Sequence, residues 1–146
     1  MTIELVREIC YKIAADHGFI LNCSIDEQCD DPMSLGKVRY KEEFVPSHSY
    51  IGDWYEIERK LVMTEILFST HFLNNADDED ILNVVRHELA HAFVFLETGK
   101  RQGHNEKFRA MCFRLGTKLT GTTDDGILKY EVPFNAVLAA FKIGEL

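Results

Sequence analysis

The sequence predicts one α+β domain, on three observations. Apolar residues recur at helical spacing over 3–16 and again over 81–96. Two shorter apolar stretches, 35–40 and 61–68, have strand character. The chain is 146 residues long, 46% hydrophobic and 27% charged, with no internal repeat, low-complexity tract or domain boundary. That balance fits a globular domain and excludes a disordered, collagen-like or coiled-coil chain. A domain of this length buries roughly two-thirds of its unfolded surface, so it needs neither disulfide nor metal merely to fold.

The elements follow in order. Ile3, Val6, Ile9, Cys10, Ile13 and Ala14 define the first helix, and Gly18 stops it. Residues 22–34, with Asp26, Asp30, Asp31 and Pro32, are polar and predict a loop. Val38 and Tyr40 fall on one face of a strand over Leu35–Tyr40. From Phe44 to Trp54, Pro46, Ser47, Ser49, Gly52 and Asp53 alternate with aromatics, which predicts a loop with hydrophobic anchors. Leu61–Phe68 predicts a buried strand. The acidic run Asp77-Asp78-Glu79-Asp80 suits the positive end of a helix. The helix it opens carries Ile81, Leu82, Val84, Val85, Leu89, Ala92, Phe93 and Leu96 and ends at Gly99. Another helix is expected from Asn105 to about Leu119, then a short strand near Ile127–Val132, then a helical segment from Pro133.

With 16 Lys and Arg against 24 Asp and Glu, the formal net charge is −8. Such a chain is poorly suited to tight, sequence-independent nucleic-acid binding, which depends on cations neutralising phosphates. The amino terminus has no signal-peptide apolar core, and no run approaches the ~18 apolar residues of a membrane span. Cys10 and Cys112 sit in apolar helical patterns and are expected to be buried thiols. The chain has no C-x-x-C pair, and a Cys23–Cys29 disulfide is not expected without a secretory signal. A cytoplasmic location, with no membrane partner, fits these features best.

The chemistry lies in the long helix. His87-Glu88-Leu89-Ala90-His91 is an H-E-x-x-H motif. Residues four apart on a helix lie nearly above one another, so both imidazoles face one way and can bind one Zn²⁺. Glu88 then stands beside the metal as a general base for its water. The chain's 6 His and 14 Glu predict roughly 0.02 such motifs by chance. The plainer alternative is two helix histidines hydrogen-bonded to neighbours, with Glu88 solvated. A catalytic zinc has three protein ligands and leaves a place for water. For the third, His104, His71, His48, His17 and several acids are available. His104 stands out because it follows Gly103, directly before the next helix. A turn from Gly99 to Gly103 can swing that helix back across the first, although a surface histidine near a helix start would look the same.

Val85-Arg86-His87-Glu88-Leu89-Ala90-His91-Ala92-Phe93, followed by Gly103-His104-x-x-x-Phe108, resembles the SprT-like zinc metallopeptidases, the family of Spartan. Leu35-Gly36-Lys37-Val38 and Ile66-Leu67-Phe68-Ser69 look like that family's two strands ahead of the active-site helix. The resemblance implies a small zincin-like metalloprotease core. Its active-site helix would pack on a short β-sheet, and a second helix would carry the third ligand. It implies His87, His91 and His104 as zinc ligands, Glu88 as base, and a protein substrate that can be attached to DNA. Two departures stand out: Asn105 follows His104 where many relatives have Gly, and no cysteine-rich zinc ribbon follows the core. Any DNA contact is therefore expected to be weak or indirect.

The expected function is a zinc metalloendopeptidase acting on a protein or peptide. Tyr50, Tyr55, Tyr130 and Arg86 are candidates to stabilise the oxyanion, and the sequence does not choose among them. The 61–68 strand, as a free edge, would pair with an extended substrate. The aromatic loop with Phe44, Tyr50, Trp54 and Tyr55 would either cover the cleft or anchor on the core. The alternative function is a non-enzymatic, zinc-stabilised binding module. Glu88 weighs against it, because a purely structural site needs no base.

Overall fold

A computed structural model describes residues 1–29, 34–51, 54–117, 119–122 and 128–130. Helix α1 spans Ile3–Asp16, with Thr2 accepting a hydrogen bond from the Leu5 amide at its start. Gly18, at φ +77°, then turns the chain out of the helix. Strands β1 (Ser24–Gln28), β2 (Gly36–Ile51) and β3 (Trp54–Ser69) form one sheet in the order β1-β3-β2. β1 runs parallel to β3, with Ile25 opposite Ile66, and β2 runs antiparallel to it, with Val38 also opposite Ile66. Helices α2 (Thr70–Asn75), α3 (Asp78–Thr98) and α4 (Glu106–Leu115) follow. Strands β4 (Leu119–Thr122) and β5 (Leu128–Tyr130) then pair in a separate antiparallel ladder.

Three expectations change. Ser24–Gln28 is a strand, although only Ile25 and Gln28 along it are buried. Its ladder comes from β3, distant in sequence, rather than from strand-forming side chains. Arg7 secures it to α1 through bonds of 2.7 Å to the Ile25 carbonyl and 2.7 Å to Asp26. The segment expected to loop from Phe44 to Trp54 instead continues β2 to Ile51 and opens β3 at Trp54. Each hairpin strand is thus 16 residues, about 50 Å long at strand rise. A register shift between Pro46 and Tyr50 accommodates the proline, which cannot donate to the ladder. Finally, α4 ends at Gly116 (φ +75°), and Leu119 belongs to β4. The strand expected near 127–132 is β5; the segment from Pro133 lies outside the described residues.

Helix α3 explains where the site sits. Asp78, Glu79 and Asp80 occupy its first turn, and Gly99, at φ +70°, closes its end. Almost all its circumference is buried between β1–β3 and the other helices, including Ile81, Val85, Leu89 and Phe93. Phe19 stacks on Phe93 at 4.3 Å, while Phe68, Phe72 and Phe108 fill the core around it. A helix buried this thoroughly is a rigid base for any side chain it directs into a cleft. Cys10 and Cys112 are buried free thiols, and Cys23 and Cys29 are also free. Among the described residues no helix is long and apolar enough to cross a membrane.

Candidate metal centre and cleft

His87, Glu88 and His91 come from consecutive turns of α3, and all three line one cleft of about 570 Å³. The chain leaves α3 at Gly99 and enters α4 at Asn105, whose side chain accepts the Phe108 amide at 3.1 Å. The Asn105 amide also donates to the Gln102 side chain. This short turn returns the chain over the first helix and brings His104 into the same cleft. His104 lies in the turn, one residue before the cap, rather than on α4 itself.

One potential ligand atom from each of His87, His91 and His104 lies within 4.8 Å of the others. The three ring centroids are 5.1 Å apart in every pairing. Phe108 packs against all three rings, at 5.0 Å from His87, 4.2 Å from His91 and 4.8 Å from His104. The other histidines considered for a third ligand stand elsewhere. His17 caps the end of α1, and His71 lies on α2. The side chain of His48 falls outside the described ones.

Burial sets the protonation of the triad. It lowers His87 to about 3, helped by the neighbouring charges of His91 and His104. It lowers His91 to about 4, with His104 and Arg101 adding to the shift and a hydrogen bond to the Gln102 backbone opposing it. Burial lowers His104 as well. All three therefore offer neutral nitrogen lone pairs at neutral pH, the form a metal requires. Three imidazoles are a donor set suited to Zn²⁺ among the divalent ions. The residues fit the ion.

Glu88 is buried rather than solvated, and burial pushes its carboxyl up to about 8. Its neighbour is the backbone of β2. A Cβ built on Gly36 would lie 2.8 Å from Glu88 Cγ and 3.2 Å from Cδ. No side chain other than hydrogen leaves room there. Gly36 and Val38 form the opposite wall of the cleft together with Tyr40. Tyr40 packs edge-on against Phe95 at 5.0 Å, and the Arg101 guanidinium lies over its ring at 5.1 Å.

The 31–126 segment matches the family model described as the SprT-like family, which is well over half of the chain. The chain belongs to the SprT-like family. No curated protein and no solved structure matches it. Within this family member the structure brings together the histidines that the motif singles out, and it revises the cleft walls. Arg86 does not line the cleft, and the side chains of Tyr50, Tyr55 and Tyr130 lie outside the described ones. Phe44 is exposed, packs on Arg59 at 5.7 Å and does not cover the cleft. The 61–68 strand is central rather than an edge; beside the cleft the free edge among the described residues belongs to β2. Gly36, Tyr40 and Arg101 were not anticipated. For Gly36 a signal existed: a glycine inside a strand pattern marks close backbone approach. Nothing in the residue pattern distinguished Arg101.

Proposed function

We propose that the chain is a zinc-dependent endopeptidase. The observation that carries this reading is the convergence of three neutral imidazoles and one buried carboxyl, Glu88, on a single cleft. His87, His91 and His104 would hold the ion, which as a Lewis acid supplies an activated water near neutral pH. Glu88 accepts the proton of the attacking water and returns it to the leaving amine, the work of a general base that becomes a general acid. A carboxyl shifted toward neutrality by burial suits both halves of that transfer. Phe108 keeps the three rings in place from below, and Gly36 holds the Glu88 carboxyl between α3 and β2.

Among the described residues β2 has a free edge, which offers backbone groups to an extended peptide, as sheet edges do in strand-addition recognition. The substrate chain would lie along 36–40, which places its backbone beside the triad. The test is to load the purified chain with zinc and screen peptides and unfolded proteins, with and without DNA. Glu88→Gln is expected to retain about one zinc per chain and lose cleavage, while His91→Ala loses zinc. Undiminished cleavage by a homogeneous Glu88→Gln protein would sink the mechanism. Stoichiometric zinc with no cleavage under any condition would favour the binding-module reading.

A further inference from the structure

Arg101, like Arg86, has no ion pair among the described residues, and of the two only Arg101 lines the cleft. Arg7, Arg39, Arg59 and Arg114 each face a carboxylate, at 2.7, 3.4, 3.9 and 3.2 Å. Arg101 has no ion-pair partner among the described residues, although the chain holds 24 acidic residues. Its guanidinium instead lies over the Tyr40 ring at 5.1 Å, spanning from the α3–α4 turn to β2. Both residues line the cleft that contains the histidines and Glu88. Stacking leaves the guanidinium edge, with its N–H donors, unspent.

One other cation, Lys37, lines the cleft among the described residues. It lies between Gly36 and Val38 in β2, out of phase by strand alternation with the face where Gly36 meets Glu88, so Arg101 is the cation that stacks on Tyr40. Among the described residues one carboxyl lines the cleft, that of Glu88, and it is buried against Gly36 and Val84. A guanidinium stacked on a tyrosine ring suits one planar carboxylate, which it can grip through two parallel hydrogen bonds. A nucleic-acid backbone would call for several cations in a row.

We propose that Arg101 and Tyr40 form a carboxylate subsite beside the metal centre, so that the chain selects substrates with a carboxylate next to the bond it cuts. That carboxylate comes from an Asp or Glu side chain or from a free C-terminus. The proposal rests on the peptidase reading for cleavage, but not for binding.

The test uses the zinc-loaded full chain and peptides matched in pairs: Glu against Gln beside the scissile bond, and free acid against C-terminal amide. The expected result is at least a tenfold preference in kcat/KM for one carboxylate of a pair, which identifies its source. Arg101→Ala should shrink that preference to within about twofold, Arg101→Lys should retain part of it, and Arg101→Glu should favour a Lys-bearing peptide. Arg101 is exposed, so these variants should keep the wild-type circular dichroism and zinc content. A second arm measures binding of the same fluorescent peptides to zinc-loaded Glu88→Gln by anisotropy. Carboxylate-dependent binding there, lost in Glu88→Gln/Arg101→Ala, supports the subsite even if no peptide is cut, in which case the peptidase reading alone fails. Equal binding and cleavage of both members of each pair would overturn the subsite. So would a preference that survives Arg101→Ala, or salt-sensitive capture of duplex DNA through Arg101 without any peptide preference.

Discussion

Gly36→Ala tests how closely the fold constrains Glu88. The added Cβ would lie 2.8 Å from Glu88 Cγ and 3.2 Å from both Glu88 Cδ and Val84 Cγ1. Carbon atoms reach contact near 3.5 Å, so the closest overlap is about 0.7 Å. Neither partner yields easily, because Glu88 and Val84 are both buried on the rigid helix α3. Overpacking of this kind costs about 1–3 kcal/mol. Against it stands the lower unfolded-state entropy of alanine, about 0.4–1 kcal/mol. Gly36 is not at positive φ, so the backbone itself accepts the change. The net expectation is a loss of about 1–2 kcal/mol, or a few degrees in Tm for a chain of this size. The decisive measurement is a double-mutant cycle on the metal-free protein, by urea denaturation, with Glu88→Ala as the second change. Removing Glu88 Cγ removes the closest overlap, so Gly36→Ala should become neutral or mildly stabilising in that background. In the zinc-loaded protein, displacement of the carboxylate should lower kcat about 100-fold with zinc content unchanged. A coupling below about 0.5 kcal/mol, within the range of independent sites, together with unchanged kcat, would refute the argument.

Three further outcomes follow from the same geometry. Phe108→Ala removes a fully buried ring that packs on all three histidines, and should cost about 3–5 kcal/mol by denaturation. It should also weaken zinc at least tenfold in a chelator competition, an effect that a cavity remote from the triad would not produce. Asn105→Ala removes the cap of α4 and should cost about 1 kcal/mol, whereas Asn105→Asp should retain most of it; equal losses would argue against the cap. Acid should destabilise the metal-free protein through the triad. His87 and His91 titrate at about 3 and about 4 when folded, against 6.5 in the unfolded chain, so the unfolded state binds more protons. Their contribution is complete above pH 6.5 and is lost as pH falls toward 3. Glu88 acts in the opposite sense: at about 8 when folded against 4.5 unfolded, its contribution is complete below pH 4.5 and lost as pH rises through 8. In a Glu88→Gln background, which removes the opposing carboxyl, urea midpoints in chelator should therefore fall between pH 7 and pH 4, and Glu88→Gln itself should raise the wild-type midpoint at pH 9 far more than at pH 5. Midpoints that do not change across both windows would contradict the burial of these groups.

The parts of the fold that sequence reading captured are those governed by local pattern. The periodicity of α1 and α3, the acidic first turn from Asp78 and the stop at Gly99 are all properties of one segment. His104 is different: its position before a helix start leaves a surface histidine equally open, and only the family resemblance singles it out; the structure brings it into the cleft with His87 and His91. What escaped depends on partners far along the chain. Ser24–Gln28 has one apolar buried residue, and its buried Gln28 donates to the Ser34 carbonyl at 3.3 Å. Without β3 beside it, the segment has no strand signal. The Pro- and Ser-rich end of β2 is likewise extended because β3 pairs with it, against its own propensity. Without β1, β3 would be an edge strand; with it, β3 is central and the free edge among the described residues passes to β2.

The position of β2 at the sheet edge bears on how the site works. H-E-x-x-H places two imidazoles and a carboxyl on one helix, but a helix alone cannot decide whether the carboxyl faces water or a wall. Here the wall is β2, which meets Glu88 at the one residue without a side chain. The same strand has the free backbone edge along which an extended peptide would pair. One strand thus confines the Glu88 carboxyl and, under the proposed function, aligns the substrate beside it. Under that function a substitution at Gly36 displaces the Glu88 carboxyl and should show in kcat, whereas one at Arg101 alters what the cleft can hold beside Tyr40 and should show in substrate preference. The two readouts separate positioning of the base from choice of substrate within a single cleft.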